Sequence, residues 1–181
     1  IWTGFFLGAG ADWFDEEGNI SINTPEAVAG TEAFINVLQN YSINGVESYN
    51  WDNVQLAFQQ GSIAMAIDAT NFAARLEDES QSTVVGKVGY SVVPEGLSVP
   101  STSTWGLGIN AASENQDLAW EFIKWCLSED IMLQTAVDGL RADVTRSSVM
   151  NSEEYTSKYS YEDGNWIQVV IDSMNAAPAD Y

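Results

Sequence analysis

The chain has 181 residues, 45% of them hydrophobic, with seven each of Trp, Tyr and Phe, enough for one ordinary core or one and a half small ones. Twenty-six acidic and six basic residues leave a formal net charge of −20, a field that repels phosphate backbones and anionic lipid and so disfavours nucleic-acid and membrane-surface binding. No apolar run approaches the ~20 residues of a membrane span, and the single cysteine, Cys126, excludes an intrachain disulfide.

The acidity reads as ordinary solubility, with salty surroundings, where screening relieves self-repulsion, as a further reading. No signal-peptide pattern opens the sequence; it starts abruptly on Ile1-Trp2-Thr3-Gly4-Phe5-Phe6, as an internal fragment or processed product does.

In chain order, residues 1–23 are aromatic and Gly-rich and turn through Asp15-Glu16-Glu17-Gly18-Asn19 into Ile20-Ser21-Ile22. Thr24 caps a helix with Pro25 at its first position, and Val28, Thr31, Phe34, Ile35 and Leu38 mark the side expected to be buried. Asn44-Gly45 is a turn signal.

Val54, Ala57 and Phe58 share one helix face, with Gln59 and Gln60 outside that stripe and Gly61 as the stop. Ser62 to Ile67 is a short apolar run suited to a strand buried on both faces. It ends at Asp68, Ala69, Thr70 and Asn71, the polar end of a strand facing a crevice.

A short helix is expected from Asn71 to Glu77, a polar, mobile stretch from Asp78 to Thr83, and a second strand over Lys87–Val93. Pro94–Thr104 reads as a loop or crossover and Trp105–Asn110 as a third strand. Ser113 with Gln116 gives a capping-box pattern for a helix to about Leu127, which places Cys126 with Leu118, Ala119, Phe122 and Ile123 as a buried thiol. Ser128 caps the next helix, ending near Gly139. Arg141–Met150 reads as irregular, Glu153–Lys158 as a short helix, and Asn165–Ala176 as an amphipathic helix through Trp166, Val169, Val170 and Met174. Helices alternating with strands predict a layered α/β domain.

The chemistry is bounded by what is missing. With no histidine, Ser-His-Asp and Cys-His activation and the common zinc sites are excluded. No phosphate-binding Gly-rich motif occurs, since Gly8-Ala9-Gly10 lacks the Lys and a following helix, although its small residues permit close backbone approach to a ligand. The Asp15–Asn19 cluster lacks the ligand alternation of a calcium loop and reads as a plain turn. Paired carboxylates are abundant, so a carbohydrate hydrolase stays open as an alternative, as does an acidic protein-interaction domain.

Several motifs occur together: Phe58-Gln59-Gln60-Gly61, Ala64-Met65 and Ile67-Asp68-Ala69-Thr70, with Thr24-Pro25-Glu26-Ala27-Val28 before them. After them come Gly86-Lys87-Val88-Gly89-Tyr90 leading to Pro94, Trp105-Gly106-Leu107-Gly108-Ile109-Asn110, Ala119-Trp120-Glu121-Phe122-Ile123 and Thr145-Arg146-Ser147. In this order they resemble the family 1 extracellular solute-binding proteins of ABC sugar importers, and within it the branch that takes polyols and small sugars.

The resemblance implies the C-terminal portion of a longer, two-lobed chain with a type II periplasmic-binding-protein fold, each lobe a layered α/β/α unit. Residues 1–94 and 141–181 would fall in one lobe, with about 95–140 crossing to the other. It implies a non-catalytic binding protein, without cofactor, that is periplasmic or otherwise extracytoplasmic, lipid-anchored or free. It would close on a small sugar or polyol and deliver it to the membrane subunits of an ABC permease. A chain lacking half the fold would self-associate or repack.

Such ligands need aromatic faces against C–H faces and planar polar groups for paired hydroxyl bonds. The residues this assigns are Asp68, Thr70, Asn71, Trp105, Arg146 and Trp166. Competing structural roles are a helix cap for Asp68, core packing for Trp105 and Trp166, and an ion pair for Arg146. Ala142-Asp143-Val144 departs from the prolines and glycine usual before the Thr-Arg-Ser turn.

Overall fold

The computed structural model describes residues 1–139 and 141–178. Its regular structure is helical, in the order α1 (Trp2–Gly8), α2 (Pro25–Tyr41), α3 (Trp51–Gln59), α4 (Ala73–Leu76), α5 (Gln116–Cys126), α6 (Glu129–Gly139), α7 (Ser147–Met150), α8 (Glu153–Lys158) and α9 (Asn165–Ala176), with short 3-10 turns between some of them. No helix among the described residues is long and apolar enough to cross a membrane.

Helix α2 starts as its sequence dictates: the Thr24 hydroxyl accepts from Ala27 N–H at 3.2 Å and Pro25 fills the first turn. Its packed face is rotated from the predicted one. Ala27 and Gly30 are buried, whereas Val28 and Ile35 are exposed. The reason is α1, a helix the Gly-rich opening did not predict, which lies against the small residues of α2. A methyl group on Gly30 would sit 2.6 Å from the Phe5 carbonyl oxygen, so only glycine lets the two backbones come this close. Phe5 then meets Phe34 edge-on at 5.5 Å, Phe6 meets Trp13 at 4.8 Å, and Trp2 Nε1 donates to the Thr31 hydroxyl at 3.1 Å.

Gly8 and Gly4 face the 98–99 segment, with Val99 N–H donating to the Gly4 carbonyl at 3.0 Å. The small residues near the start therefore serve helix and loop packing. The Asp15–Asn19 turn is an Asx-type turn, Asp15 Oδ1 accepting from Asn19 N–H at 2.7 Å and Glu17 N–H at 3.1 Å, and a single antiparallel bridge joins Phe14 to Ile20.

A second core collects Ala73, Ala74, Ala136, Ala142, Val149, Tyr155, Tyr159, Trp166 and Val170, uniting α4, α6, α7, α8 and α9. Its rings pack at tilted angles, Tyr155 against Tyr159 at 4.7 Å and Tyr159 against Trp166 at 5.5 Å. The tyrosine hydroxyls are satisfied by backbone, Tyr155 donating to the Ala142 carbonyl at 2.7 Å and Tyr159 to that of Ala136 at 2.6 Å.

The predicted strands 62–67, 87–93 and 105–110 are not formed among the described residues. A strand exists through bonds to a neighbour, and among the described residues no ladder of backbone hydrogen bonds pairs these three segments. Tyr90 shows a substitute: its N–H donates to Glu162 Oε2 at 2.8 Å and its carbonyl accepts from Asn165 Nδ2 at 3.0 Å, two side chains standing where a ladder would be. Glu162 and Asp163 carry φ of 51° and 56°, left-handed backbone that aims the Glu162 carboxylate at this segment.

Further differences lie in α3 and α5. Gln59, outside the apolar stripe of α3, is buried because its Nε2 donates to the Arg75 carbonyl at 3.0 Å while its own carbonyl accepts from Thr83 N–H and hydroxyl at 2.9 and 2.8 Å. The stretch 78–83 is tied down by Asp78, which accepts from Ser80 N–H at 2.9 Å and hydroxyl at 2.7 Å. Ser113 and Gln116 do not form a capping box: the Ser113 hydroxyl accepts from Asn115 N–H at 3.2 Å and Gln116 Nε2 donates to the Ala111 carbonyl at 2.8 Å. The α5 face expected to bury Cys126 instead exposes Leu118 and Phe122, leaving the thiol half-buried.

Candidate functional site

The sequence concentrates its polar candidates on the loop after α3, and the local fold explains their position. Gly61 at φ +69° turns the chain away from α3, with Ser62 N–H donating to the Ala57 carbonyl at 2.9 Å. Residues 62–69 follow without regular structure, and Thr70–Phe72 coil into a 3-10 turn that runs into α4.

Asp68 lies at the end of this loop, exposed by surface area, with Oδ1 accepting from Ala69 N–H at 2.8 Å. Surrounding chain atoms desolvate its carboxyl and hold its pKa above the ordinary carboxylate value, against the opposing pull of that N–H. Thr70 and Asn71 open the 3-10 turn just after it, so these three polar residues lie close together along the chain.

The loop is fastened to α3 by residues that sequence reasoning passed over. Phe72 stacks on Trp51 with centroids 5.2 Å apart and planes 9° from parallel. The Arg75 guanidinium lies 5.9 Å from the Trp51 ring centroid, and its Nη1 donates to Gln55 Oε1 at 3.2 Å. Gln55 Nε2 is buried and has no hydrogen-bond partner among the described residues. The only linear signal was the start of α3, where Asn50 and Asn53 form a reciprocal capping box immediately around Trp51.

The other candidates lie elsewhere. Trp105 is 95% exposed in the middle of the 101–110 segment. Arg146 donates from Nε to the Leu127 carbonyl at 2.6 Å, a cation at the C-terminal end of α5. It borders a groove of about 530 Å³ with Trp120, Ile123, Lys124, Leu127, Ser128 and Glu129. Trp166 is only 2% exposed and packs within the second core against Tyr159 and Tyr161. Among the described residues no hydrogen bond joins Asp68, Trp105 and Arg146, and no group of three acidic or thiol side chains is arranged to hold a metal ion.

Residues 1–132 match the family described as bacterial extracellular solute-binding protein, and the chain belongs to it. The Mannitol-binding protein of Pseudomonas aeruginosa is 28% identical over 123 residues, covering 66% of this chain and 28% of that protein.

A solute-binding protein of an ABC transporter from Agrobacterium radiobacter K84, solved with ribitol, superposes with a TM-score of 0.83 at 28% identity, covering 98% of this chain and 44% of that one. Another, from Agrobacterium vitis S4 with D-mannitol bound, gives 0.79 at 26% identity over 97% and 42%. Maltose-bound MalE3 of T. maritima, at 22% identity, shares the fold with a TM-score of 0.84. The chain thus spans less than half the length of these relatives.

Proposed function

We propose that this chain is part of the substrate-binding component of an ABC importer, one that holds a small sugar or polyol in a cleft between two lobes without chemical change to it. The reading rests above all on the family match together with relatives solved around ribitol and mannitol. Asp68, Thr70 and Asn71 supply hydroxyl-binding groups, Trp105 supplies an aromatic face, and Arg146 lies on the rim. Trp166, expected at the cleft, is instead held in the second core against Tyr159 and Tyr161 and makes no ligand contact in this reading.

In the same reading, residues 1–94 and 141–181 belong to one lobe, and 95–140 crosses to the other and returns through α6. The layered α/β arrangement is completed when 62–67, 87–93 and 105–110 find strand partners in the rest of the fold. The partners are the membrane subunits of a permease, which recognise the closed, loaded form. The site of action is extracytoplasmic.

Thermal shift of the whole protein against ribitol, mannitol, maltose and glucose tests this reading. A polyol present at about a hundred times its Kd raises stability by about 2.7 kcal/mol, and chromatography recovers it unchanged. Release of product, or no shift with any sugar or polyol, overturns the proposal.

A further inference from the structure

Helix α3 carries Trp51, Gln55 and Gln59 at four-residue spacing, which sets them one above another on a single face. All three reach the same short target, residues 72–75. Trp51 lies flat on Phe72, with planes 9° from parallel. Gln55 Oε1 accepts from Arg75 Nη1 at 3.2 Å, and Gln59 Nε2 donates to the Arg75 carbonyl at 3.0 Å.

Burial alone does not explain this stripe. Gln55 and Gln59 are 5% and 7% exposed, although glutamine is mostly a surface residue. The buried Gln55 Nε2 also lacks a hydrogen-bond partner among the described residues, a penalty that an apolar side chain would avoid. What the stripe holds is the far end of the loop that carries Asp68, Thr70 and Asn71. No backbone N–H from Ile63 to Ala69 donates to a backbone carbonyl among the described residues, and the turn closes only where Phe72 N–H donates to the Ala69 carbonyl at 3.2 Å. The course of the loop is therefore set by its anchored ends. On its other side α4 is held by Ala73 and Ala74 in the second core. Methyl groups limit how close two elements come but leave rotation open, whereas parallel rings and a directional hydrogen bond fix it.

We infer that Trp51 is a positioning residue for ligand binding. Its ring, with the Gln55–Arg75 bond beside it, fixes the 70–72 turn and so the direction in which Asp68, Thr70 and Asn71 are presented, while Trp51 itself makes no ligand contact. The inference rests on the reading of those three residues as hydroxyl-binding groups of a polyol-binding protein.

The test uses the whole protein, with D-mannitol titrated calorimetrically well below the melting temperature and hydrogen exchange at the Phe72 amide read without ligand. Trp51→Ala is expected to weaken mannitol binding at least ~10-fold and to speed exchange at Phe72. Trp51→Phe, which keeps a ring against Phe72, restores both. Gln55→Met, similar in length but without an acceptor for Arg75, moves both in the same direction as Trp51→Ala. Weaker binding with unchanged exchange makes Trp51 a ligand contact and overturns the inference. Faster exchange with unchanged mannitol affinity makes the clamp a structural fastening and overturns it as well. Both of those outcomes leave the functional reading standing, because the unmodified protein binds; an unmodified protein that binds no polyol overturns that reading and this inference with it.

Discussion

Tyr159 is fully buried, and its hydroxyl bonds α8 to the carbonyl of Ala136 on α6. Burial, reinforced by Tyr161 and Asp143, pushes this hydroxyl up to about 12, and burial likewise raises Tyr161 to about 12. An unfolded tyrosine ionises near 10, so above that pH the unfolded chain loses protons that the folded chain keeps. The stabilisation is complete below pH ~10 and is lost as pH rises toward the folded value of about 12. Melting temperature should hold level through neutral pH and fall across this alkaline window, together with the tyrosinate absorbance change. Tyr159→Phe strands the Ala136 carbonyl and should cost about 1–3 kcal/mol in denaturant unfolding at neutral pH, while flattening part of the alkaline fall. A Tyr159→Phe chain as stable as the parent would remove this hydroxyl from the account.

At the scale of elements, close contact between α1 and α2 depends on one missing side chain. Gly30→Ala places a methyl group against the Phe5 carbonyl at 2.6 Å, and the helices must separate; urea unfolding should show a loss of about 1–3 kcal/mol. Unchanged stability would mean that the pair tolerates a wider spacing. Local signals carried much of this level. Thr24 and Pro25 announced α2, and the period of Trp166 and Val170 set α9.

What local signals could not carry was anything decided by a distant partner. Helix α1 contains two glycines, poor helix formers, and is held by its packing on Gly30. Gln59 looked solvent-facing until the Arg75 carbonyl took its amide. The clamp of Phe72 and Arg75 on Trp51 was invisible because stacking across separate elements leaves no periodic trace. Strands 62–67, 87–93 and 105–110 have strand composition, but pairing is a property of two segments.

At the scale of the molecule, two cores of different make-up flank a middle third that is largely exposed. The first is the aromatic α1–α2 pair with Trp13; the second joins α4 to α6–α9. Between them, residues 101–126 display Trp105, Leu107, Leu118, Trp120, Phe122 and Trp125 to solvent. The family match covers residues 1–132; the proposed arrangement adds that these residues form part of a two-lobed receptor whose ligand edge at Asp68–Asn71 is completed from across the cleft. Asp68, Thr70 and Asn71 were readable as polar residues following one expected strand, and Trp105 as the start of another. How these residues stand relative to Arg146 was not readable, because Trp105 and Arg146 lie on segments separate from the Asp68 loop.

Isothermal titration of mannitol and ribitol into the whole protein, with Asp68→Ala and Trp105→Ala measured beside it, bears most directly on that arrangement. One site per protein is expected, with each substitution weakening binding at least ~10-fold, or about 1.4 kcal/mol, at an unaltered melting temperature. Undiminished polyol binding by both variants, or no heat of binding from the unmodified protein, would contradict it.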